Sequence, residues 1–402
     1  MPHRHFARAL ARLLVTALLG GAVAAQTAAP AVTVESTSPA AVARLAETAA
    51  RALTELVEWL GPLPVQSITV VDLPWAASTP GKASPGTVAT RFRWITPVRD
   101  LSAERSLIAE LARQFWIAPV TDATAPFHEA LVIYTATRAI HRVLEGRHFA
   151  APRYVGGFVS MPVRSLMLSH NPAGRGAPLG EFDEVLHPGD AAWRFASAAD
   201  GSPARRASVA LRTLERMIGW PAMQQALAAV RERAAGSPIS PEFFAAVVAE
   251  QRGVPLQWFV RDLVRSRDRI DYAVDTVTSS GSNGAIRTAI GIERLGAGVF
   301  SGTDRPRDDE PARTIPVMVR FADGSETRAF IDGRDQRSDI LIESGSPAAT
   351  VAVDPDEMVL VDANRMNNGW VADAPSDPVG RRLIASWMVW LQHVILTCTA
   401  LA

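Results

Sequence analysis

The stretch with the most chemical content is "AELARQFW", residues 109 to 116. Two residues four apart on a helix point the same way, offset by about 40°. Paired histidines at that spacing can therefore chelate one metal ion. A glutamate beside the first of them can act as general base on a metal-bound water. Here the three positions are Ala109, Glu110 and Arg113. The base is present, but neither a methyl group nor a guanidinium can ligate a metal. Taken alone, "AELAR" is also a common string in ordinary amphipathic helices.

Other reactive groupings are sparse. The acidic run "EFDEVLHP" (Glu181, Asp183, Glu184, His187) reads as a solvated loop or as a metal cluster. His128, beside Glu129 in "HEALVIYTA", is a spare ligand or a helix-start histidine. "GAGVFSG" (296 to 302) lacks the strand-to-helix context of a nucleotide loop and reads as a turn. Lys82 is the only lysine, which removes P-loop and Schiff-base chemistry. No Gly-x-Ser-x-Gly elbow occurs, and the single cysteine, Cys398, can form no internal disulfide. The formal net charge is zero, with no basic run, which argues against a nucleic-acid partner.

The elements that position these residues follow from periodicity. Residues 41 to 61 carry apolar residues at helical spacing and stop at Gly61-Pro62. "SITVVDLPW" and "TVATRFRWI" read as strands around a Pro/Gly/Ser loop. Helices are expected over 103 to 118 and 126 to 145, then again from "ARRASVALRTLERMIGW" to "PLQWFVRDLVRS". Gly219, Gly236 and Gly253 fall where helix C-caps belong, and Ser240-Pro241 where a helix starts. From 270 to 366 the pattern alternates between turn signals, with Asp323-Gly324 as a hairpin, and predicts an antiparallel β-sandwich. The apolar loop 153 to 168 either lines a cleft or covers the helices.

The order of strand, loop, strand, "IAELARQFW" and "FHEALVIYTATRAI" resembles the catalytic domain of the aminopeptidase N family of zinc metallopeptidases. That family carries His-Glu-x-x-His followed by Gln-Trp or Gln-Phe, and a third ligand glutamate in Glu-Gly-x-x-x-Tyr. This chain matches with Gln114, Phe115, Glu129 and Tyr134. The later helices and the segments "FADGSE" and "VDPDEMVLVDANRMNNGW" resemble the family's helical bundle and small sandwich. The likeness runs over roughly 40 to 368. It implies an α+β, thermolysin-like, mainly helical domain over 40 to 267 with a small sheet. A β-sandwich over 270 to 366 follows, then a linker over 367 to 380.

Against that pattern both histidine positions are lost, at Ala109 and Arg113, and the tyrosine that stabilises the oxyanion falls in register on Ala204. Between Arg113 and Glu129 lie 15 residues where the family usually has more. "SPGTVATRF" stands where the family has its amine-gripping strand. The resemblance thus implies a vestigial site: Glu110 as a general-base position without metal, and Ala109, Arg113 and Glu129 as former ligand positions. The family's zinc has no ligand set here, so no cofactor is expected. With zinc gone, two carboxylates would face one partly buried site, and unpaired buried charge is strongly unfavourable. Arg113 is the expected partner of Glu129, Glu110 or both.

The first 25 residues, with Arg4, Arg8 and Arg12 ahead of an apolar core and "AVAAQ", read as a secretory signal. Residues 383 to 402 carry no Asp, Glu, Lys or Arg and at about 30 Å just span a bilayer. They read as a membrane anchor, or else as a buried helix or oligomer contact. The functional expectation is an exported, periplasmic or cell-surface, membrane-anchored pseudo-enzyme that binds peptides or a protein partner. The alternative is an active metallopeptidase using other ligands.

Overall fold

The protein is described by a computed structural model, covering residues 29–36, 38–73, 84–90, 102–144, 203–282, 285–304 and 314–373. The signal-like segment, the loops at 153 to 168 and 181 to 188, and the stretch 383 to 402 lie outside the described residues. Among the described residues no helix is long and apolar enough to cross a membrane. The secondary structure mixes helix and sheet, and the chain divides into two compact units.

The first unit holds the described residues up to Leu144 together with Met223–Pro238. Its sheet is β1 (Ala31–Glu35), β2 (Ser67–Asp72) and β3 (Thr87–Thr90), all parallel, in register Val32↔Ile68 and Val70↔Val88. β1 lies ahead of the expected domain start at 40 and belongs to the unit, because it pairs with β2 along its whole length. The connection between them is α1 (Pro39–Leu60). Its start is set by Ser38, whose Oγ accepts from Ala41 N at 3.3 Å, with Pro39 in the first turn. Its end is set by Gly61 at φ +79°, a conformation that disfavours any side chain.

α2 (Ser102–Gln114) and α3 (Ala125–Val143) complete this unit, with the helical residues 223 to 234. Leu45, Leu53 and Leu56 of α1 are fully buried, as are Leu107 and Leu111 of α2 and Leu131 and Tyr134 of α3. α2 ends at Gln114 and not at 118 as the pattern suggested. Phe115 N and Trp116 N bond three residues back, to Ala112 O and Arg113 O, and this tight turn closes the helix. Pro119 then biases Ala118 away from helix.

The second unit holds α4 (Pro203–Ile218), the start of α5 (Trp220–Ala234), α6 (Pro241–Arg252) and a π-helix at Phe259–Arg265. Gly219, Gly236 and Gly253 follow the three α-helices at φ +81°, +81° and +66°. Ser240 Oγ caps α6 by accepting from Phe243 N at 3.1 Å. A sandwich follows, of β4 (Tyr272–Ser282), β5 (Ala285–Arg294) and β8 (Arg337–Ser344) against β6 (Ile315–Phe321), β7 (Glu326–Ile331), β9 (Ala348–Val353) and β10 (Gly369–Val371). The hairpin at Asp323-Gly324 joins β6 to β7, with Gly324 at φ +85°. β10 pairs with β9 through Trp370↔Val351, so residues 369–371 belong to the sheet and not to a linker.

Candidate functional site at the α2–α3 contact

α2 presents Ala109, Glu110 and Arg113 on one side, and α3 answers with Glu129 in its second turn. Arg113 donates to both carboxylate oxygens of Glu129, Nη1 at 2.6 Å and Nη2 at 2.8 Å. Its Nε stands 3.7 Å from Glu110 Oε1. The pairing expected from the spacing is therefore present, bidentate with Glu129 and looser with Glu110. The hydrogen bond to Glu129 is the main reason Arg113 is raised above an ordinary arginine; burial opposes it. All three charged side chains keep about a third of their surface exposed, so the group is reachable from solvent.

His128 is turned elsewhere. It is buried, with Nε2 against the carbonyl of Trp116, and its Nδ1 is buried without a hydrogen-bond partner. Of the two readings of this histidine, the structure favours the helix-start residue that secures the end of α2. Burial lowers its pKa most, and the Trp116 carbonyl and Glu129 oppose that shift. The unfolded chain then takes up the proton at higher pH than the fold does. Stability is full above pH about 6.5 and falls as pH drops below it. Urea unfolding at pH 7.5 and 5.5 should show this loss, and His128→Leu should flatten the dependence.

Two further residues hold the site's frame. Gln114 is buried, accepts Gly86 N at 3.0 Å, and donates to Ser84 O and Thr87 O at 3.2 Å each. It fixes the end of α2 to the lead into β3. Arg231 of α5 donates to Leu60 O and Pro62 O, both at 2.6 Å, and to Phe115 O at 3.3 Å. Its guanidinium also lies 5.3 Å from the Phe115 ring centre. Gln114 was noted only as part of a family pattern, and nothing in the local sequence singles out Arg231. Ala204 lies in the other unit, buried on α4.

The donor set can be tested against a zinc ion. Ala109 offers no donor, Arg113 is a cation, and Glu129 is already held at both oxygens. Among the described residues no group of three or more His, Cys, Asp or Glu side chains converges to hold a metal. The residues present do not fit the ion.

No family model matches the chain, and no curated protein does. Among solved structures the chain is similar to the aminopeptidase A of Legionella pneumophila. The identity is 12%, over 83% of this chain and 36% of that one, with a TM-score of 0.49. It is also similar to an M1 zinc metallopeptidase from Deinococcus radiodurans, at 18% identity over 60% of this chain and 50% of that one, TM-score 0.36. The chain thus spans half or less of the length of these proteins.

Proposed function

We propose that this chain is a non-catalytic relative of the aminopeptidase N type peptidases, exported and held at the membrane by residues 383 to 402. Its role is to bind a peptide or a protein partner at the outer surface. The observation that carries the reading is the two-pronged contact of Arg113 with Glu129. It puts a fixed positive charge between helices at the positions where the resembled family holds its metal. Hydrolysis in that family depends on lowering the pKa of water from about 15.7 towards about 7. Glu110 beside a guanidinium has no group that does this. The purified protein is expected to carry no stoichiometric zinc and to release no N-terminal residue from peptides. One zinc per chain with bestatin-sensitive release would overturn the reading.

A further inference from the structure

Among the described residues β8 (Arg337–Ser344) is the most open edge of the sandwich, and its pairing states which backbone groups are available. Among the described residues it pairs with β5 alone. The register runs Ile290↔Ile340, and Arg294 N donates to Gln336 O at 3.0 Å. Antiparallel ladders alternate, so Ser338, Ile340 and Ile342 direct their backbone groups to β5. Arg337, Asp339, Leu341 and Glu343 then direct theirs outward. The other sheet edges are less available: β10 has three residues, β7 has six, and β4 is broken by a register shift at Val274/Thr276. β8 has eight residues and contains no proline, lysine or bulge, three of the devices that guard an edge; its charges are Arg337, Asp339 and Glu343.

Both faces of β8 are unfinished as well. Leu341 is 65% exposed on the outer face. On the inner face Thr288, Ile290 and Ile292 of β5 are buried, whereas Ile342 and Ile340 beside them are only half-buried. Among the described residues the apolar row thus reaches the last strand and is only partly covered there.

We infer that β8 pairs antiparallel with β8 of a second copy of this chain, about a two-fold axis at Ile340. The occupant is argued from charge. With the axis at Ile340, Arg337 lies opposite Glu343 of the second copy and Asp339 opposite Leu341. Ile340 meets Ile340 on the inner face, and Ser338 meets Ile342. All four outward-facing residues then exchange backbone hydrogen bonds. Moving the axis to Leu341 sets Asp339 against Glu343, and moving it to Asp339 sets that residue against itself; like charges opposite one another oppose pairing. Arg337 already gathers Asp275 and Glu293 at 3.0 Å and Asp339 at 3.2 Å, and Arg287 holds Glu343 at 2.9 Å. These neighbours hold both Arg337 and Glu343 in fixed places on the strand.

Light scattering on the full chain is expected to give a dimer that dissociates on dilution. Leu341→Pro removes an outward N–H and leaves the β5 ladder intact, so it should raise the dissociation constant at least ~10-fold with unchanged circular dichroism. In a Cys398→Ser background, I340C should cross-link to itself on mild oxidation, since facing non-hydrogen-bonded residues bring Cα atoms to about 4.5 Å. D339C and L341C should not. A monomer at every concentration with no I340C cross-link leaves this edge to some other strand and overturns the proposal. So does a dimer indifferent to Leu341→Pro, or one that cross-links at 339 or 341 in preference to 340.

Discussion

Replacing Arg231 with methionine is expected to lower the unfolding free energy of the first unit by about 3 kcal/mol. The side chain closes three backbone carbonyls: Leu60 O in the last turn of α1, Pro62 O past it, and Phe115 O past α2. The last carbonyls of a helix have no intrahelical donor, and a cation there also meets the negative end of the dipole. Methionine preserves most of the stem and supplies no donor. Leu60 O and Phe115 O are then left partly buried without their donor, while the exposed Pro62 O can turn to water. Burial pulls the pKa of Arg231 down, yet a guanidinium stays protonated at any ordinary pH, so the contact persists across the pH range. Arg231→Lys should recover only part of the loss, because an ammonium cannot spread over three carbonyls in one plane. Urea unfolding followed by circular dichroism measures both. A loss under about 0.5 kcal/mol for methionine, the size of an ordinary surface substitution, would show that Arg231 is not the clasp described above.

How far the sequence revealed this arrangement depends on where each residue's partners lie. α1 was legible through its apolar spacing and the stop at Gly61-Pro62, whereas its start at Ser38-Pro39, two residues ahead of the expected one, came only with the fold. The sandwich was legible through alternation and the Asp323-Gly324 turn. The pairing of Arg113 could be anticipated once Glu129 was set beside "AELAR", since Arg113 was the cation at hand. β1 was missed because five residues of "AVTVE" give little periodicity, and their partner strand comes only after the whole of α1. The role of Arg231 was invisible for the same reason, since its acceptors at residues 60, 62 and 115 are brought together by folding. His128 left two readings open in the sequence, and its partner, the carbonyl of Trp116, is set only by the fold. Gln114 belonged to a recognised pattern, but its three backbone partners appear only in the folded unit.

The second large effect bears on the central proposal, that the ion pair of Arg113 with Glu129 stands where the resembled family holds its metal. In the variant A109H/R113H the two new imidazoles lie four residues apart on α2, and Glu129 loses its partner. Two histidines and one carboxylate make a three-ligand zinc site whose fourth position is left to water. Zinc at about 100 times its dissociation constant would then stabilise the folded variant by about 2.7 kcal/mol. Glu129→Ala in that background should abolish the effect, since two histidines alone leave the ion under-coordinated. The most direct measurement is a calorimetric zinc titration of the wild-type chain beside A109H/R113H. We predict no binding by the wild type and one zinc per chain in the variant, lost again with Glu129→Ala. One zinc bound by the wild type, or a folded variant that takes none, would contradict the claim.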